Sequence, residues 1–249
     1  MTIDFHNKIV LVTGATKGIG KQIADDLYKA GAHLLLTGTK PEEINRLNNH
    51  AKTNDERRRY FCVDFSNEQS VAAFLQVLEA MPRIDSLVNN AGINQLNPID
   101  KIDESDWAGM LAVNLSTPLR LIKLISAKMI QQQYGRIINI GSIFSKISKE
   151  QRAAYSATKF GLHGLTVGVS NDLARHKILV NTVSPGFIIT ELTLKNLSDK
   201  ERSGLEEIVP AKRLGNVSDI SSVVLFLLSD LNQYLTGQNI VVDGGFTNV

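Results

Sequence analysis

Apolar positions along this chain fall into two rhythms. Compact runs rich in Val, Ile and Leu predict strands at 9–13, 33–37, 60–63, 86–88, 136–141, 179–183 and 239–242. Between them the apolar residues spread to helical spacing, and helices are predicted after Gly18, Pro41, Asn67, Asp103, Arg152 and Ser218. The run from Ile9 to Val12 has no polar face, as a strand covered on both sides requires. Ser66-Asn67-Glu68-Gln69 offers a helix start and Gly31 a helix stop. Alternating strands and helices imply a parallel sheet with helices on both faces, an α/β architecture. With no linker, internal repeat or low-complexity stretch, residues 1–249 read as one domain.

The first strand runs straight into Gly14-Ala15-Thr16-Lys17-Gly18-Ile19-Gly20, and Ile23, Ala24, Leu27 and Tyr28 follow at helical spacing. Strand, glycine turn and helix is the setting of a dinucleotide site, in which N–H groups at the helix start face a phosphate. Gly14 suits the sharp turn, Gly18 the approach of a pyrophosphate and Gly20 close helix–strand packing, although the spacing is G-x-x-x-G-x-G, not G-x-G-x-x-G. The fourth strand ends in Asn89-Asn90-Ala91-Gly92, which puts Asn90 and Gly92 where ligands lie in doubly wound sheets. Ser142 ends the fifth strand, placed either to hydrogen-bond a substrate oxygen or to cap the next segment.

Tyr155 and Lys159 stand four residues apart in a helical stretch, so phenol and ammonium share a face. A tyrosine ionises only near pH ~10, and a neighbouring cation lowers that value enough for proton transfer at neutral pH. Asn114 lies in another helical stretch, and Pro118, four residues on, has no N–H to give its carbonyl. That carbonyl is free either for a water leading toward the lysine or for bulk water at a simple kink.

Taken together, Thr13 to Gly20, Asn89 to Gly92, Asn114, Ser142, Tyr155, Lys159, Pro185-Gly186 with Thr190, Thr236-Gly237-Gln238 and Val242-Asp243-Gly244-Gly245 resemble the short-chain dehydrogenase/reductase family over essentially the whole chain. The resemblance implies a Rossmann-type, doubly wound sheet of seven strands in the order 3-2-1-4-5-6-7. It implies Asn114, Ser142, Tyr155 and Lys159 as catalytic residues of an NAD(P)-dependent oxidoreductase acting on CH–OH/C=O groups. The cofactor contacts it implies are Gly14, Thr16, Lys17, Gly18, Ile19, Gly20, Thr39, Lys40, Asp64, Asn90, Ala91, Gly92, Tyr155, Lys159, Pro185, Gly186, Ile188 and Thr190. Asp64 resembles an adenine contact, and a loop-capping aspartate reads equally well. No metal is expected. The second strand ends in Thr37-Gly38-Thr39-Lys40 without the carboxylate that would bind a ribose 2′-hydroxyl, and with Lys17 and Lys40 at hand the expected cofactor is NADP(H), NAD(H) remaining possible.

The chain is most similar to bacterial 3-oxoacyl-carrier-protein reductases, through Gly135 to Ser142, Pro185 to Thr190 and Arg213-Leu214-Gly215. That resemblance suggests a 3-oxoacyl substrate, fatty acid biosynthesis, Arg136 as a docking point for an acidic carrier protein, and a homotetramer. The chain departs from the pattern before Tyr155, where Ser148-Lys149-Glu150-Gln151-Arg152 is bulky and charged. This leaves room for a sugar or small alcohol, for example in polysaccharide biosynthesis. A non-catalytic nucleotide-binding regulator is a third reading, opposed by the intact catalytic set. Phe187, Ile188, Ile189, Leu192, Leu194 and Leu197 form either an apolar lid or an ordinary amphipathic helix, and Lys146, Lys149 and Arg152 either greet an anion or line a solvated loop.

The 249 residues carry a net charge of +2 and 43% hydrophobic residues, enough for a large core and no reason to expect nucleic-acid or membrane partners. Arg57-Arg58-Arg59, the basic run, reads as solvated. A lone cysteine, Cys62, precludes an intramolecular disulfide, and the N-terminal stretch lacks a secretory apolar segment, so a reducing cytoplasm is expected. The longest obvious apolar run, 223–228, is too short to span a bilayer.

Overall fold

A computed structural model describes residues 3–54, 57–196 and 198–248. Among these, the main sheet has seven parallel strands: β1 (Ile9–Val12), β2 (His33–Gly38), β3 (Arg58–Cys62), β4 (Ser86–Asn89), β5 (Gly135–Ile140), β6 (Ile178–Pro185) and β9 (Asn239–Val242). They lie in the order 3-2-1-4-5-6-9. This is the expected order, the seventh main strand being β9 because a two-residue pair, β7 (Ile188–Ile189) and β8 (Gly215–Asn216), intervenes.

Successive strand residues point to opposite faces, so each strand feeds two cores. Val10, Val12 and Leu36 pack beneath α1 (Gly18–Lys29), α2 (Pro41–Asn54) and α9 (Val217–Leu228), with Ile23, Leu27, Ile44 and Leu227. Leu11, Leu35, Ile137 and Val180 pack beneath α3 (Glu68–Glu79), α5 (Thr117–Gln132) and α6 (Ala153–Leu173), with Phe74, Leu121 and Ile125. Burial on both faces explains why these strands read as continuous apolar runs.

The helix predicted after Asp103 is α4 (Glu104–Leu111), a π-helical turn (Ala112–Ser116) and α5 in one run. Asp103 caps its start by accepting from Ser105 N. By length and composition this run, not 223–228, is long and apolar enough to cross a bilayer. Here Met110, Leu121, Ile122, Ile125 and Met129 are buried in the protein's own core.

The segment after β6 forms two short helices, α7 (Glu191–Asn196) and α8 (Asp199–Ile208), the second started by a Ser198–Glu201 capping box. Of the proposed lid residues, Leu194 is exposed and Ile188 buried, while Leu197 and the Leu192 side chain lie outside the described residues. The arginine run is not simply solvated. The Arg57 and Arg58 guanidinium carbons each lie 4.1 Å from the centroid of the Tyr28 ring, and Arg58 pairs with Asp25 at 3.1 Å, tying β3 to α1.

Candidate active site

The carboxyl ends of β1, β4, β5 and β6 meet at one edge, and the glycine turn is fixed there by a clamp. Asn90 Nδ2 donates to Thr13 O at 2.8 Å and to Gly14 O at 3.0 Å. Asn90 N and Ala91 N both donate to Thr13 Oγ1, at 2.9 and 3.0 Å. On the other side, Gly14 N donates to Thr37 Oγ1 at 3.0 Å. Gly14 and Gly18 have φ of +63° and +55°, the left-handed region that favours glycine. Gly20 is required for a different reason: a Cβ there would collide with the Asn90 amide and the Gly14 carbonyl. The clamp, more than helix–strand packing, excludes a side chain.

Ser142 leaves β5 with its hydroxyl accepting from Phe144 N at 3.2 Å, so it does cap the following turn. The same side chain lies near enough to the Tyr155 phenol to favour its ionised form. Ser142 therefore caps the next segment, and it also sits near the tyrosine. The Tyr155 ring meets Phe144 edge-on, centroids 6.2 Å apart. Burial raises the phenol above its ordinary value, against the lowering effects of Ser142 and of the Arg152 charge. Lys159 is not among the lowering influences. Its Nζ lies 5.7 Å from the centroid of the Tyr155 ring and donates to Ile140 O at 2.8 Å. Burial depresses this ammonium to about 8.

Asn114 is buried in the π-helical turn, not in regular α-helix as expected; Thr117 N reaches back five residues to Ala112 O. Its side chain accepts from Ile93 N at 2.9 Å and donates to Ile93 O at 2.9 Å and Thr158 Oγ1 at 3.1 Å. Thr158 in turn donates to Tyr155 O at 2.8 Å. Asn114 Oδ1 and Lys159 Nζ both flank Gly92, 3.4 and 3.6 Å from where its Cβ would be. The fold thus brings Asn114, Ser142, Tyr155 and Lys159 to one place. The sequence reading gave no roles to Thr13, Thr37 and Thr158, which make the linking hydrogen bonds. Their partners lie 23 to 78 positions away or across a helical turn, and only the Thr in the first glycine motif was visible as a signal.

Around this centre, Thr16 packs against Gly38, Lys17 is exposed, and Ile19 is partly buried at the start of α1. Thr39 and Lys40 are exposed just beyond β2, with no carboxylate between them and β2. Cys62 is exposed at the end of β3, its Sγ 3.7 Å from Thr39 O. Asp64 accepts from Ser66 N at 2.9 Å and Ser66 Oγ at 2.6 Å, which holds its carboxyl below the usual range. It is a loop-capping aspartate, exposed and still able to accept a further bond. Pro185 ends β6 and Gly186 follows it, and Thr190 lies across from Gly18, its Cγ2 3.6 Å from where a Cβ would stand.

Arg136 is not at this edge. It lies at the amino end of β5, buried, donating to Gly135 O, Lys177 O and Asn232 O at 2.9, 3.1 and 2.9 Å. It braces the opposite end of the sheet, and the docking role suggested for it is withdrawn.

The sequence model of the family described as short chain dehydrogenase matches residues 8–201. 3-Oxoacyl-[acyl-carrier-protein] reductase FabG of Escherichia coli (strain K12) is 36% identical over 244 residues, 98% of this chain and 98% of that protein. FabG of Aquifex aeolicus (strain VF5) is 36% identical over 247 residues, 98% and 99% of the two chains. Among solved structures, a gluconate 5-dehydrogenase from Burkholderia cenocepacia J2315 in complex with NADP and tartrate has a TM-score of 0.90 at 31% identity, covering 99% of this chain and 98% of that one.

The buried ammonium has a measurable consequence. Lys159 titrates near 8 in the folded chain against an ordinary 10.5. At pH 7 both folded and unfolded chains hold the proton, and only the folded chain bears the desolvation. From about pH 8 to 10.5 the folded chain releases it first, so stability rises with pH across that window. Lys159→Met is expected to stabilise the protein by about 2 kcal/mol at pH 7, the gain shrinking as pH climbs. Urea unfolding at pH 7 and pH 10 checks this; a variant less stable at pH 7 refutes it.

Proposed function

The chain belongs to the short-chain dehydrogenase family and is an oxidoreductase acting on CH–OH/C=O groups, and on that premise we propose that it is an NADPH-dependent carbonyl reductase. The observation that supports this most is the convergence of the Ser142 and Tyr155 hydroxyls at the carboxyl edge of the sheet, with the buried Lys159 ammonium 5.7 Å from the centroid of the tyrosine ring. NADPH, when bound, supplies the hydride. Gly14, Thr16, Gly18, Ile19 and Gly20 hold its pyrophosphate on the α1 N-terminus, and Asn90, Ala91 and Gly92 line its ribose side. Lys17, Thr39 and Lys40 receive the 2′-phosphate, and Asp64 takes the adenine. Pro185, Gly186, Ile188 and Thr190 take the nicotinamide end.

Ser142 and Tyr155 hydrogen-bond the substrate carbonyl oxygen. Tyr155, protonated at neutral pH, donates to the oxygen as its charge develops; burial makes this phenol a weaker acid than a free one, so the step relies on the neighbouring cations to stabilise the phenolate. Lys159 stabilises the phenolate left behind and, as the family resemblance implies, grips the ribose. Asn114 positions Lys159 from the far side of Gly92, its carbonyl leading a water toward the ammonium.

Sequence likeness favours a 3-oxoacyl thioester carried by an acidic carrier protein. The charged 148–152 segment and the likeness to a gluconate 5-dehydrogenase favour a second reading, a sugar or small alcohol. NADPH oxidation with acetoacetyl thioesters, set beside a panel of ketosugars, separates the two, and cofactor binding without turnover of any carbonyl compound would favour a regulatory protein.

Tyr155→Phe is expected to lower turnover at least ~100-fold with the fold retained by circular dichroism, the loss of a general acid; near-normal turnover would exclude the proposed donor. Affinity for NADPH is expected to exceed that for NADH at least ~10-fold, with the difference shrinking in high salt; titration of both by fluorescence checks this, and tighter NADH binding refutes it. The family resemblance also implies a homotetramer, which would cover the exposed Leu119, Phe160 and Val167 of α5 and α6. Light scattering is expected to give about four times the 27.4 kDa chain mass, and a monomer would overturn this.

A further inference from the structure

The loop between Ser142 and Tyr155 carries three cations with different surroundings. Lys146 Nζ donates to Thr247 Oγ1 at 3.3 Å and Asn248 Oδ1 at 3.0 Å, and is occupied in holding the C-terminal turn. Lys149 is exposed. Arg152 is half-buried, three residues before Tyr155 at the start of α6. Its guanidinium carbon lies 5.0 Å from the Phe144 ring centroid, and that ring meets Tyr155 edge-on. Its Nε is buried with no hydrogen-bond partner, and among the described residues no carboxylate pairs with it. Burying an unpaired guanidinium is costly, and proteins pair such groups when they can. The Tyr155 phenol is the ionisable group that influences it, so among the described residues none supplies the missing anion.

We propose that Arg152 receives an oxyanion, a carboxylate or phosphate, borne by the substrate near its reactive carbonyl, so that the enzyme selects oxo acids or phosphorylated ketones over neutral ketones. A guanidinium presents a planar fork matched to such oxyanions, and stacking on Phe144 fixes the plane of the fork. The stretch between Ser142 and Tyr155 would then select the substrate while the residues at its two ends do the chemistry. The inference rests on the carbonyl-reductase reading and narrows its substrate away from the 3-oxoacyl thioester, which bears no oxyanion beside its keto group.

The test compares two matched pairs with NADPH: acetoacetate against methyl acetoacetate, and dihydroxyacetone phosphate against dihydroxyacetone. In the wild type, kcat/KM is expected to favour the charged member of at least one pair, and which pair tells carboxylate from phosphate. Arg152→Gln is expected to reduce that charged-to-neutral ratio about 10- to 100-fold, the loss of a charge-assisted bond, and Arg152→Lys to restore part of it. A merely structural role for Arg152 would depress both members alike and leave the ratio unmoved, which overturns the inference while the reductase reading stands. Wild-type turnover of the neutral members alone overturns it too. No turnover of any of the four, together with none of thioesters or ketosugars, brings down the reductase reading and this inference with it.

Discussion

A parallel sheet gathers the carboxyl ends of its strands along one edge, and the backbone groups stranded there must find partners. In this protein the partner is Asn90, whose amide and N–H, with Ala91 N–H, close on Thr13 and Gly14. From that clamp a line of hydrogen bonds runs on. The chain continues from Ala91 through Gly92 to Ile93, which Asn114 grips by both backbone groups. Asn114 holds Thr158, and Thr158 holds the carbonyl of Tyr155. The glycine turn on β1 and the tyrosine on α6 are therefore set relative to each other by side chains that carry no charge and do no chemistry in the proposed mechanism. The π-helical turn at Ala112–Ser116 fits this arrangement, since it lets Asn114 turn its amide toward Ile93 within a helix that otherwise runs on.

The electrostatics at the edge are poorly compensated. Lys159 is buried with one carbonyl, Arg152 has a buried Nε with nothing to bond, and Tyr155 is held away from ionisation by the same apolar surroundings. Arg58 and Arg136 also have a buried Nε without a hydrogen bond, but their other nitrogens are paired: Arg58 with Asp25, beside the Tyr28 ring, and Arg136 with three carbonyls. A buried ammonium, a guanidinium without a carboxylate and a phenol gathered at one edge are the kind of perturbed cluster that accompanies binding and proton transfer.

Most of the architecture was legible because strands buried on both faces must be apolar throughout, and helices between them must show a stripe. The family resemblance then gave the strand order, which periodicity alone cannot. The errors have physical causes. Arg57 and Arg58 looked solvated because nothing in the sequence announces that Tyr28, 29 positions from Arg57, will stack on them. The stretch after Pro185-Gly186 read either as an apolar lid or as an amphipathic helix, and α7 within it is a helix with Leu194 exposed. Thr13, Thr37 and Thr158 went unassigned because their hydrogen bonds close only after distant strands pair. Arg136 is instructive in another way: its placement at the start of the fifth strand already put it at the edge opposite Ser142, and the rule that ligands gather at carboxyl ends should have outweighed the resemblance.

Ser142 and Tyr155 are fixed by β5 and α6, so the ten-odd residues joining them have no choice but to cross the mouth of the site. In the proposed mechanism, chemistry and selection are thereby separated within one stretch of chain, the first at its ends and the second in its middle. The C-terminal turn takes part in that middle. Asp243 caps it by accepting from Gly245 N and Thr247 N at 2.9 and 2.8 Å. From it Phe246 reaches the Phe187 ring, centroids 5.0 Å apart, on the segment after β6, while Thr247 and Asn248 hold Lys146 on the opposite wall. The tail thus bridges the two walls that flank the mouth. The 143–152 loop and the segment after β6 are thereby linked through a few contacts near residue 248 and are not independent of each other.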